Sequence, residues 1–185
     1  MSGLVVLLIV VALAVLVVVL YNGLVRLRND VRNAWSQIDV QLKRRHDLIP
    51  NLIESVRGYL QHEREVLQRV TEARTRAVAA SGAASAGAAE AELSQALGRL
   101  AVVMEAYPEL KANQNVLALQ EELTTTENRI GFARQLHNDL VAQYNTKQEV
   151  FPGNLVAGLF QFTRAEYYQA EAGERAVPKV DLGPR

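Results

Sequence analysis

The sequence predicts an all-α protein: an N-terminal transmembrane helix that continues into a bundle of roughly four helices, two of them long. Three observations carry this. Residues 4–20 (LVVLLIVVALAVLVVVL) form an unbroken apolar run without a charge. Behind it, apolar residues recur at spacings of three and four over most of the chain, which is the period of a helix face. No alternating apolar–polar stretch of useful length interrupts that pattern.

Extended through Tyr21 to Val25, the apolar run reaches the ~20 residues that a helix needs to cross a bilayer. Tyr21 stands where an interfacial aromatic belongs. A secretory signal peptide would place basic residues ahead of the apolar core and small residues at a cleavage site. MSG has no charged side chain, and YNGLVRL offers no A-x-A pattern. A soluble helix is rarely apolar on every side. The organisation read from this is a tail at residues 1–3, a transmembrane helix at 4–23 and a helical domain at 24–168.

Helix 1 is predicted over 24–78. One row of a seven-residue repeat is Leu24, Val31, Ile38, Arg45, Leu52, Tyr59, Val66 and Ala73. Four residues after each come Arg28, Trp35, Leu42, Ile49, Val56, Glu63, Val70 and Ala77. Only Arg28, Arg45 and Glu63 interrupt the stripe, and its phase is kept through Pro50, which favours one kinked helix over two. Proline there removes the amide that would bond the His46 carbonyl, at a cost of ~3 kcal/mol.

Residues 79–90 (AASGAASAGAAE) are small and featureless and read as a linker. Helix 2, 91–107, carries Leu93, Leu97, Leu100, Met104 and Tyr107, and Pro108 ends it. Helix 3, 110–150, begins between Pro108 and Asn113, by proline or by asparagine chemistry. Its rows are Ala112, Leu119, Thr126, Ala133, Leu140 and Lys147, and Val116, Leu123, Ile130, His137, Tyr144 and Phe151. FPGN, 151–154, stops it, and Asn154 can cap helix 4, 155–168. The tail, 169–185, closes with AVPKVDLGPR, whose breakers predict an extended or mobile segment. Helices 1 and 3 must lie side by side to hide their stripes; their relative direction is open at this level.

Composition excludes several chemistries. There is no cysteine, hence no disulfide, thiolate metal site or cysteine nucleophile. Twenty basic and 20 acidic residues balance, and no like-charge run suggests nucleic-acid binding. The histidines are His46, His62 and His137. A di-iron bundle needs Glu three residues before each ligating His, but Lys43, Tyr59 and Arg134 stand there. His62–Glu63 starts like a zincin motif, yet Val66 occupies the second His position. There is no Gly-rich phosphate loop and no G-x-S-x-G. No catalytic, cofactor-binding or metal-ligating residue is therefore assigned, and no cofactor is expected. TTTEN, 124–128, reads as hydroxyls bonding back to the preceding turn. Only a site gathering His137, Thr126 and a carboxylate would reopen the enzyme reading.

Arg45 is the informative anomaly, a charge in the apolar seam. Either it snorkels out along its stem, or it pairs with a carboxylate from helix 3 such as Glu127 and so sets helix register.

YNGLVRLRNDVRNAWSQIDVQLKRRHDLIPNLIESVRGYLQHE closely resembles the opening signature of the bacterial LemA family, and YPELKAN, LQEELTTTENRI, ARQLHNDLVAQYNT and FPGNLVA are similar to its later blocks, in order. The resemblance implies a single-pass bacterial membrane protein with a helical bundle and no established enzymatic activity. Some members are encoded beside membrane proteases of the heat-shock type. Trp35, Arg45, Pro50, Asn128 and Asn145 fall inside the signature blocks and read as packing or interface residues.

The expected function is a non-enzymatic, membrane-anchored scaffold in the bacterial envelope that self-associates as a homo-oligomer. The rival is a regulatory or adaptor subunit of a membrane protease or other membrane partner. The expected partners are the lipid bilayer and a second copy, with no nucleic acid. Arg26, Arg28 and Arg32 follow the span, with Lys43, Arg44 and Arg45 beyond, and no basic side chain precedes it. Positive flanks stay cytoplasmic, so the N-terminus is expected outside the inner (plasma) membrane and the helical domain in the cytoplasm.

Overall fold

A computed structural model describes residues 2–168. Among the described residues there are six helices: α1 (Ser2–Arg57), α2 (Arg64–Ala79), α3 (Ala83–Glu105), α4 (Pro108–Ala112), α5 (Gln114–Glu149) and α6 (Gly153–Leu159). There is no strand among the described residues. The all-α class holds, with six helices where about four were expected. The expectation for the tail at 169–185 lies outside the described residues.

The chain divides into two compact units. Unit 1 joins the residues up to Gln41 with Asn128–Tyr167; unit 2 is built on Leu42–Glu127. Each has its own core.

In unit 2, Ile49, Leu52 and Val56 of α1 and Leu60 beyond it pack with Leu67, Val70, Ala73 and Ala77 of α2 and Leu93, Leu100 and Met104 of α3. The predicted single helix over 24–78 is corrected here. α1 ends at Arg57, and the chain turns through residues 58–63 before α2 begins. Gly58 weakens the helix at this point, and a polar run, Gln61–His62–Glu63–Arg64–Glu65, offers nothing to bury. Folding back lets two apolar stripes cover each other, whereas a straight helix would leave both wet. Leu60 is fully buried in the turn while Tyr59, the predicted seam residue, is exposed.

The linker at 79–90 is corrected as well. Only residues 80–82 are non-helical, and α3 starts at Ala83. Alanine is the best helix former, so a stretch lacking any apolar periodicity still propagates a helix once neighbours support it. Gly82, with φ 87°, makes the reversal; only glycine adopts that backbone without strain. α2 and α3 thus run antiparallel, and Arg76 pairs with Glu92 across them at 2.9 Å.

Helix 3 begins by both signals. Pro108 is the first residue of the one-turn α4. Asn113 then caps α5, its Oδ1 accepting from the amides of Asn115 (3.0 Å) and Val116 (3.3 Å).

In unit 1, Leu24 and Val31 of α1, Val141 and Tyr144 of α5 and Val156 and Ala157 of α6 form the core. Trp35 meets His137 at 5.8 Å between ring centroids, and Lys147 lies over Gly23. As α1 numbers fall, α5 numbers rise, so these segments are antiparallel. α6 occupies Gly153–Leu159, shorter than the expected 155–168. Its N-cap is Pro152 without a side-chain bond, and Asn154 does not cap it. A Cβ on Gly153 would collide with the Lys147 carbonyl, which only glycine lets approach. At the other end Gln161 takes φ 53°, the Phe162 amide reaches the Ala157 carbonyl (2.9 Å) and the Gln161 amide that of Gly158 (3.3 Å). This is a Schellman stop. Beyond it, Asn145 clamps Ala165 through both backbone groups, donating to its carbonyl (3.0 Å) and accepting from its amide (2.9 Å).

Side chains from Leu4 to Val19 are exposed on every side of α1. This segment is long and apolar enough to cross a membrane.

Candidate functional site

The most concentrated polar chemistry in the described chain centres on Arg45 in unit 2. Its side chain is 4% exposed and faces Glu90 of α3, which is 5% exposed, with Nη1 to Oε2 at 3.0 Å. Nη2 donates to Ser94 Oγ at 2.8 Å and reaches Glu127 Oε2 of α5 at 3.2 Å. The second oxygen of Glu90 accepts from His46 Nε2 at 2.6 Å. One buried carboxylate thus takes two donors, and one buried guanidinium finds three acceptors. Charges removed from water persist only when matched in this way.

The backbone beneath the cluster is matched too. Pro50 cannot supply an amide to the His46 carbonyl, and Arg74 of α2 supplies its Nε–H instead, at 2.7 Å. Beside it Arg44 pairs with the half-exposed Glu122. The seam of unit 2 therefore holds α1, α2, α3 and α5 by directional bonds at one level.

Of the two readings of Arg45, pairing describes it: Glu127 is a partner, and Arg45 does not snorkel to solvent. The dominant partner, Glu90, went unread because it stood inside the supposed linker. The signal was available. Counting back from Met104, Leu100, Leu97 and Leu93 at steps of three and four reaches Glu90 and then Ala86. A charge thus interrupts the stripe of α3 as Arg45 interrupts that of α1.

The histidines do not converge. His46 belongs to the cluster, His62 is exposed in the turn, and His137 is buried in unit 1 against Trp35. Burial pushes the His137 imidazole below its ordinary range, opposed by a contact with Asn138. Thr126, in unit 2, donates to the Glu122 carbonyl at 2.8 Å, and Thr124 to that of Gln120 at 2.8 Å, the back-bonding expected of TTTEN. The grooves along unit 2 are lined by residues such as Ile53, Arg57 and Thr71, or Arg69, Glu92 and Arg99, and include no histidine. Among the described residues no group of three or more His, Asp or Glu is placed to hold a metal ion. Asn128 and Pro50 are exposed, Trp35 is half-buried and Asn145 is buried.

What this arrangement does chemically is specify geometry. Four helix segments meet at one charged layer that tolerates no slip, since a shift would leave a bare charge in the core.

Over residues 34–182 the chain matches the LemA family. Magnetosome proteins MamQ 1 and MamQ 2 of Paramagnetospirillum magneticum are each 26% identical over 195 residues, spanning 91% of this chain and 72% of theirs. Protein LemA of Metamycoplasma hominis is 28% identical over 155 residues, spanning 83% of this chain and 71% of its own.

Proposed function

Because this chain belongs to the LemA family, we propose that it is a non-enzymatic, membrane-anchored interaction protein that self-associates through the outer face of α5. The observation that carries the reading is an unpartnered apolar pair on one helix face: Phe132 is 74% and Leu136 53% exposed. Side chains four apart on a helix are neighbours, and exposed apolar surface of this kind marks contact sites. None of the relatives bears an enzyme's name, which supports the same direction. The span anchors the chain in the inner (plasma) membrane.

Light scattering with size exclusion in detergent tests self-association. The wild type is expected above monomer mass, and Phe132→Ser with Leu136→Ser is expected at monomer mass. A wild type that runs as a strict monomer sinks the reading. Cross-linking in cells then separates the rival: adducts to a membrane protease rather than to a second copy make the chain its regulatory subunit.

The arginines behind the span support a helical domain in the cytoplasm under the positive-inside rule. The chain has no cysteine, so single-cysteine labelling is clean. Ser2→Cys should react with an impermeant maleimide in cells with an opened outer envelope. Gln95→Cys, exposed on α3 beside the Ser94 that Arg45 engages, should react only after lysis. Labelling at 95 in unlysed cells reverses the orientation.

A further inference from the structure

We infer that the outer face of α6 and its flanks is a second membrane contact, lying in the interfacial zone of the bilayer that the N-terminal span crosses; this rests on the anchor proposed above. Leu155 and Leu159 stand four apart on one face of α6, 63% and 72% exposed, and the flanking Phe151 and Phe160 are 78% and 46% exposed. The opposite face, Gly153, Val156 and Ala157, is buried in the core of unit 1. α6 is thus apolar on both sides, with only the inner side covered.

Its place in the fold selects the occupant. Tyr21, the first residue past the apolar run, meets Phe160 at a tilt, 4.8 Å between ring centroids, and Phe162 edge-on at 5.7 Å. Leu20 and Tyr21 pack on the same core as Val156 and Ala157. The antiparallel pairing gives the level independently. Lys147 lies over Gly23; α5 ends two residues later at Glu149, and four residues back along α1 is Val19, a step of about 6 Å. The end of α5, which Phe151 follows, therefore lies at the level of the last turn of the apolar run. The exposed row is continuous with a helix surface that is apolar all round, and the bilayer that covers the one extends over the other. Arg26 is exposed just past the apolar run, where anionic headgroups favour it. A short apolar face at this depth matches helices that lie about 5–10 Å into the headgroup boundary.

The full chain, reconstituted in phosphatidylcholine–phosphatidylglycerol vesicles, carries an environment-sensitive fluorophore on a single cysteine at Leu155, at Leu159, at Val10 in the span or at exposed Gln143 on α5. All four are exposed positions, so folding is retained. The expected result is a blue shift at 155 and 159 together with loss of emission to lipids bearing a nitroxide near the headgroup. A chain-end nitroxide should quench them less, position 10 should be quenched, and position 143 should stay water-like. Water-like emission at 155 and 159 while position 10 is quenched overturns the contact and leaves the anchor standing. Shielding at 155 and 159 without lipid quenching means that a second copy covers the face, and also overturns it. An unquenched position 10 removes the anchor and the contact together.

Discussion

Arg74 donates its Nε–H to the main-chain carbonyl of His46 at 2.7 Å, filling the acceptor that Pro50, four residues on, leaves without its amide. The guanidinium stands in for a backbone bond. Losing a charged donor to a partly buried carbonyl costs about 1–3 kcal/mol, so Arg74→Met is expected to destabilise the chain by that amount in urea unfolding. In a Pro50→Ala background an amide reaches the same carbonyl, and Arg74→Met should cost less than half as much. Equal costs in the two backgrounds would show that the Arg74 bond does not depend on the proline.

The charged layer makes a sharper pair of variants. Arg45→Met alone leaves the buried Glu90 carboxylate with His46 as its remaining donor and should cost about 3–5 kcal/mol. Arg45→Met combined with Glu90→Leu removes both charges and is expected to unfold at a higher urea concentration than either single variant. If the double variant is the least stable of the three, the layer supplies stability rather than register.

His137 predicts an acid limb. Its folded pKa lies below the ordinary value near 6.5 because burial disfavours the imidazolium. Below that value the unfolded chain takes up a proton that the folded chain refuses. The stabilisation is therefore complete above about pH 6.5 and declines as pH falls toward the folded pKa. His137→Phe should flatten the melting temperature in this window relative to wild type. Parallel pH profiles for the two proteins would exclude His137 as the source.

Two backbone positions in unit 1 give opposite signs. Gly153→Ala forces a methyl into the Lys147 carbonyl and should destabilise by about 1–3 kcal/mol. Gln161→Gly relieves a left-handed residue, worth about 1–2 kcal/mol, against about 0.5–1 kcal/mol of glycine entropy, so it should be neutral or slightly stabilising. Thermal melts of both variants decide, and a Gly153→Ala chain as stable as wild type refutes the close approach.

The Asn145 clamp is testable by hydrogen exchange. Asn145→Ala should lower the protection of the Ala165 amide while leaving Val141 and Tyr144 protected. Unchanged exchange at Ala165 would mean that something other than Asn145 holds the segment.

Much of this architecture could be read before any coordinates, and the failures have identifiable causes. The apolar run and the stripes of α1 and α5 were legible because burial imposes a helical period. Arg45 stood out because a charge in a stripe has no cheap solution. The break at Gly58 was hidden by a repeat that kept its phase by coincidence through a turn. Glu90 was hidden because alanine-rich sequence carries no periodicity, although a helix forms there readily. α6 was read too long, since nothing in GLFQF announces that Gln161 will adopt a glycine-like conformation. The donation from Arg74 to His46 was invisible in principle: sequence shows which carbonyl loses its amide but not which distant side chain replaces it.

The pairing of Trp35 with His137 has a consequence for biosynthesis. The two residues are 102 positions apart (137 − 35), and unit 1 takes its other half only from Asn128 onward. At a ribosomal pace of about 5–20 residues per second, the stripe of Leu24 and Val31 emerges roughly 5–20 s before its partners exist. Unit 2, contiguous from Leu42 to Glu127, has no such wait. During each round of translation the nascent chain therefore displays an uncovered apolar stripe beside its membrane end, open to holdase chaperones and to premature pairing with a neighbouring nascent chain on the same polysome.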